Sequence, residues 1–114
     1  VTTRDLSLLK LGRHFRLGAS KITVGRNEEE NKLLLALKNH DDYVFEVPGF
    51  GSPITILEGS KRREAIELAA RLTARYSDAG ARAKEVIVEY RTEKGRESIL
   101  VSPLDENEVA RLRI

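Results

Sequence analysis

Cysteine is absent from the 114 residues, which removes disulfides, thiolate metal sites and cysteine nucleophiles together. Methionine is absent as well and the chain opens on Val1, so the sequence is expected to be a module of a longer protein. No apolar run approaches the roughly 18 residues of a spanning helix, and no charged-then-apolar leader precedes the first predicted strand. The expectation is a soluble, cytoplasmic module with no membrane partner. Histidine is scarce: His14 and His40 have no second imidazole or carboxylate at ligand spacing. His40-Asp41-Asp42 point different ways as consecutive loop residues, so neither a metal nor any other cofactor is expected. P-loop and dinucleotide fingerprints are also missing.

What is present is a globular balance, with 33% charged and 40% apolar residues, in a length suited to one domain with one core. The net charge of +2 is modest but uneven, because Arg13, Arg16, Lys21 and Arg26 fall in a stretch without one Asp or Glu.

Residues 1–10 read as a linker or leading element, and residues 11–114 as a single domain. Alternation predicts strands over Arg13 to Leu17 and Lys21 to Val24, with Gly18-Ala19-Ser20 as the turn. A helix is expected from Asn27 to Lys38 with Leu33, Leu34 and Leu37 inward, followed by strands over Asp42 to Val47 and Ile54 to Leu57. Ser60 is the expected N-cap of the longest helix, which ends near Tyr76 or Ser77. Lys84 to Arg91 and Arg96 to Ser102 form a hairpin with Gly95 expected in the left-handed region, and Leu104 to Ile114 a short helix capped by Asp105. The fold class is therefore α+β: a mixed, mostly antiparallel sheet of about six short strands, two main helices and a short C-terminal helix.

At Val24-Gly25-Arg26-Asn27 a strand pattern stops at a glycine and a capped helix begins. Asn27 is the N-cap, Glu30 sits at capping-box spacing, and the acids of the first turn suit the positive end of the helix dipole. Arg26 has no such local role, which marks it for an outside partner. On the long helix Glu64, Glu67, Arg71, Arg75 and Asp78 form one outward stripe, while Arg62 and Arg63 stand where the dipole disfavours cations. An anionic partner and a merely solvated face both explain that surface. Nucleic acid fits the basic hairpin, since Arg and Lys contacts to phosphate dominate sequence-independent binding, and His14 or Phe15 could stack on a base. Phe15 reads rather as core, since an isolated aromatic in a strand usually points inward. Gly49 and Gly51 read as a bend or as a phosphate cradle, and Ser52 lacks both the elbow context and a base that a nucleophile requires.

The order of motifs resembles a known family. Gly25-Arg26-Asn27, a helix with Asn31, Asp42-Tyr43-Val44-Phe45, Pro48-Gly49 with Ser52, then Ala74-Arg75-Tyr76-Ser77 is similar to the NFACT-R domain of the NFACT proteins of ribosome quality control, from about Arg13 through Val101. The chain departs from the long NFACT proteins at Val44 and Glu46, which replace a tryptophan and a histidine, at Pro53 and the additional Phe50, and in the shortened Thr92-Glu93-Lys94-Gly95 segment. The compact form resembles the module fused behind PP-loop ATPase domains of tRNA-thiolating or tRNA-modifying enzymes. The resemblance implies an accessory domain that presents tRNA, or other structured RNA, to catalytic machinery in the remainder of the parent chain. It carries Arg26 and Asn27 over as RNA contacts; Arg13, Arg16, Lys21, Arg62, Arg63, Arg71 and Arg75 are added from charge pattern. The rival is a scaffolding module that docks on its own catalytic domain or on the ribosome. An independent enzyme would need a paired acid and base, which the sequence does not offer.

Overall fold

A computed structural model describes residues 12–49, 51–79 and 83–113. The expected leading element at 1–10 lies outside the described residues. The chain forms β1 (Arg13–Leu17), β2 (Ser20–Val24), α1 (Glu28–Leu37), β3 (Tyr43–Glu46), β4 (Thr55–Gly59), α2 (Arg63–Arg75), β5 (Val86–Thr92), β6 (Gly95–Val101) and α3 (Glu106–Leu112). The six strands make one sheet in the order β1-β2-β4-β3-β5-β6, with every neighbouring pair antiparallel. This is the α+β class expected from the patterning.

Alternation along the strands divides the core between two helices. Phe15, Ile22, Leu57, Phe45 and Val88 belong to the larger cluster with α2, where Ala65, Ala69 and Ala74 let the helix backbone approach the sheet. Residues of opposite parity, Val44 and Ile56, pack with Leu34 under α1. The polar side chains buried beneath α2 are satisfied: Thr73 Oγ1 lies 2.7 Å from the Ala69 carbonyl and 2.8 Å from Thr55 Oγ1. Each hydroxyl has one proton, so Thr73 donates to the carbonyl and accepts from Thr55.

Several local expectations need correction. Leu33 is not part of the buried stripe of α1; it is 43% exposed, whereas Leu34 is fully buried. Ser60 does not cap α2. The helix starts later, with Arg62 at the cap position and no side-chain cap bond, while the Ser60 carbonyl accepts the hydroxyl of buried Ser20 at 2.7 Å. Satisfying a buried hydroxyl across the sheet outweighs a cap exposed to water. Gly95 adopts φ 141°, positive but well away from the left-handed helical region. Asn27 and Asp105 cap α1 and α3 as expected, accepting from Glu30 N at 2.9 Å and Glu108 N at 2.8 Å.

After β6 the chain is strapped along α2. Arg71 Nε donates to the Ser102 carbonyl at 3.0 Å, Leu104 N to the Arg71 carbonyl at 3.3 Å, and Arg75 Nη1 to the Leu104 carbonyl at 3.4 Å. The strap delivers α3 to the opposite edge of the sheet, where Arg113 bridges Phe15.

Two neighbouring leucines test the assignment of faces. Leu34→Ala should cost about 2–5 kcal/mol by cavity formation, and Leu33→Ala should remain within about 0.5 kcal/mol. Urea denaturation of the two variants measures the contrast.

Candidate functional site

Three loops converge beside β1, and two glycines explain how they approach so closely. β2 ends at Val24, and Gly25 N donates to the Ile54 carbonyl at 3.0 Å. From the first turns of α1, Asn31 Oδ1 accepts Ile54 N at 2.9 Å, and a β-carbon at Gly25 would run into that same oxygen. In the second loop Ser52 Oγ accepts Val47 N at 3.0 Å and donates to the Pro53 carbonyl at 3.1 Å, so its hydroxyl holds the bend. The third loop follows α2: Asp78 N donates to the Gly51 carbonyl at 2.8 Å, and a β-carbon at Gly51 would strike the Asp78 carboxylate. Gly51 thus serves a bend that seats an acid, which disfavours the phosphate-cradle reading.

Arg26 has a local role after all. Glu30 accepts the Arg26 backbone N–H at 2.9 Å, Nε at 2.9 Å and Nη2 at 2.6 Å, forming a fork-to-carboxylate pair in which Glu30 is 10% exposed and Arg26 48%. The carboxylate therefore reaches back beyond the N-cap residue, one position further than a simple capping box. These bonds from Arg26, first its side chain and then its backbone, together with the Gly12 backbone N–H, push the Glu30 carboxyl down to about 2 against the opposing effect of burial.

Arg13 projects from β1 on the α2 side, and its guanidinium lies 4.3 Å from the ring centroid of Tyr76, which also packs on Phe15. Such a cation over an aromatic face is attracted by the ring quadrupole and holds its orientation. The loops enclose a surface pocket of about 440 Å³ whose walls include Arg13, Asn27, Asn31, Ser52, Tyr76 and Asp78, with Arg26 and Glu28 also at its lining.

The residues selected from the sequence are not all brought together. Arg13, Arg26 and Asn27 meet at the pocket. Arg16 and Lys21, paired across the β1–β2 hairpin, have the opposite strand parity and lie on the other face, with Glu58 beside Lys21. The expected basic patch is therefore divided by the pleat. Arg62 and Arg63 stand at the start of α2, where Arg63 pairs with Glu67 at 3.4 Å. Arg71 and Arg75 bind the C-terminal strap, and Arg71 also lies 3.9 Å from Glu108, so the outward basic stripe is in part an internal fastening. Tyr76, Asp78, Gly51 and Ser52 were missed as site residues; the motif order around Pro48-Gly49 and Tyr76-Ser77 was the signal that could have found all but Asp78, which a long-range contact to Gly51 brings in. Among the described residues no group of three or more His, Asp or Glu side chains is placed to hold a metal ion.

The profile of the NFACT protein RNA binding domain matches residues 12–113. The chain belongs to this family. As an NFACT-R domain it is an accessory RNA-binding module, with RNA as its partner. No curated protein matches the chain. Among solved structures, the C-terminal part of the fibronectin/fibrinogen-binding protein from Streptococcus suis superimposes with a TM-score of 0.80 at 19% identity, covering 91% of this chain and 49% of that one. At that identity the likeness is one of fold, and this chain spans about half the length of its counterpart.

The Arg26–Glu30 fork makes a prediction about acid stability. A carboxyl lowered from 4.5 to about 2 on folding contributes stability above the unfolded value and loses it as pH falls toward the folded one. Glu30→Gln should lower the urea midpoint at neutral pH, and the gap from the parent chain should close as pH drops from about 4.5 toward about 2.

Proposed function

We propose that this domain binds structured RNA, tRNA above all, and presents it to a catalytic domain elsewhere in the parent chain, of the PP-loop ATPase type that thiolates or otherwise modifies tRNA. The observation that supports this most is the convergence of Gly25-Arg26-Asn27, Gly51-Ser52 and Tyr76 on one pocket within an RNA-binding family. Separated motifs with a shared binding duty have reason to meet at one place. Arg16, Lys21 and Arg62 have no ion pair among the described residues and supply cations for phosphate.

A second reading rests on a different surface. Ile87 and Leu100 face each other across β5 and β6, and each is 57% exposed, which suits docking on a protein such as the parent's catalytic domain or the ribosome. The two readings separate by experiment. Replacing Arg16, Lys21 and Arg62 with Gln should weaken tRNA binding in gel shifts and flatten its salt dependence by about 0.7–0.9 in log–log slope per lost phosphate contact. Unchanged tRNA affinity in a folded triple variant would overturn the RNA reading. Loss of association with the catalytic half on Ile87→Ser and Leu100→Ser, with no RNA shift at low salt in the parent chain, would favour docking.

A further inference from the structure

The geometry points to the Arg13–Tyr76–Asp78 pocket as a subsite for one unpaired nucleobase, guanine, rather than for phosphate; the inference rests on the RNA-binding reading of the same site.

The charge of the pocket argues first against phosphate. Asp78 and Glu28 both contribute to its lining, and the fork of Arg26 is occupied by Glu30. A phosphate entering here would meet the Asp78 carboxylate and that of Glu28, which lies 3.9 Å from Lys32, against a guanidinium of Arg26 already engaged by Glu30 and one of Arg13 laid over Tyr76. The exposed cations Arg16 and Arg62 lie on other surfaces, where backbone phosphates can be neutralised without that opposition. An uncharged base with polar edges suits a lining of both signs.

The stack supplies a platform. One face of the Tyr76 ring is covered by the Arg13 guanidinium at 4.3 Å, and Phe15 packs against the same tyrosine at 6.5 Å, so the ring is committed to the fold. The outer plane of Arg13 is the surface left for an incoming base, and guanidinium planes stack on unpaired bases as aromatic rings do. Tyr76 is thus a positioning residue that fixes the plane of Arg13.

The edge is read by two side chains. Asn27 Oδ1 accepts Glu30 N at 2.9 Å, which leaves the amide NH₂ as the group it can offer to a ligand. The Asp78 carboxylate has no hydrogen-bond or ion-pair partner among the described residues, and it is held in place through its backbone N–H on Gly51. Guanine alone among the four bases presents two adjacent donors, N1–H and N2–H₂, beside an acceptor, O6. A carboxylate accepts the two donors in parallel, and the amide donates to O6. Adenine and cytosine would turn a ring-nitrogen acceptor toward the carboxylate, and uracil offers it only one donor.

The test uses the 114-residue chain and fluorescein-labelled RNA octamers of cytidine carrying one central guanosine, inosine, adenosine or cytidine, measured by anisotropy beside intact tRNA. The guanosine octamer should bind roughly ten-fold tighter than the adenosine and cytidine octamers, in line with one bidentate contact, and inosine, lacking the N2 amino group, should fall between. Asp78→Asn should abolish the preference without weakening the adenosine octamer, and Tyr76→Leu should weaken all four alike. Binding of tRNA and of every octamer with no base preference would overturn the guanine subsite and leave the RNA-binding function standing. A preference that survives Asp78→Asn would overturn the role of Asp78. Failure of the chain to bind either tRNA or any octamer would overturn the function and the subsite with it. The comparison among octamers needs no variant, so the inference remains testable even if Asp78→Asn does not fold.

Discussion

The amide of Asn31, carried by α1 and accepting the backbone N–H of Ile54, is the contact on which the arrangement of this domain turns. It fastens a helix to the entry of a central strand, and the space it occupies is left open by Gly25 having no side chain. The same short segment holds the Asn27 cap and the Arg26–Glu30 fork, so one helical turn and its approach combine three fastenings. An unsatisfied N–H at Ile54 would be costly, because this residue lies in the smaller core beneath α1. The site therefore stands on a framework with little freedom to adjust.

The reading from sequence succeeded wherever the determining interaction was short in range. Asn27 and Asp105 cap their helices through contacts three residues away, and every strand was found within a few residues of its observed limits. It failed where a distant partner decided the outcome. Ser60 is a reasonable cap by local chemistry, yet its carbonyl is required by Ser20, forty positions earlier. Arg71 and Arg75 look like an outward stripe until the Ser102–Leu104 strap, some thirty residues on, takes their donors. Arg26 is the opposite kind of failure: its partner, Glu30, is only four residues away, but the acid had already been assigned to the helix dipole and cap.

The candidate site was legible as an order of motifs and not as a pattern of charge. Four cations without an intervening acid suggest one positive surface, but strand geometry sends Arg13 to one side of the sheet and Arg16 with Lys21 to the other. What the motif order could not convey is that the acid Asp78 belongs with the glycine loop, since that contact runs between Gly51 and Asp78 across the end of α2.

The strand order has a consequence for how the domain can be used. Arg13 belongs to β1, at one margin of the sheet, and the Ile87–Leu100 pair to β5 and β6, at the other. From β1 to β5 is four inter-strand steps, on the order of 20 Å at the usual spacing. Two occupants at those margins would not compete for space, so the sheet acts as a spacer of set length, and a ligand gripped at one margin lies at a fixed offset from whatever meets the other.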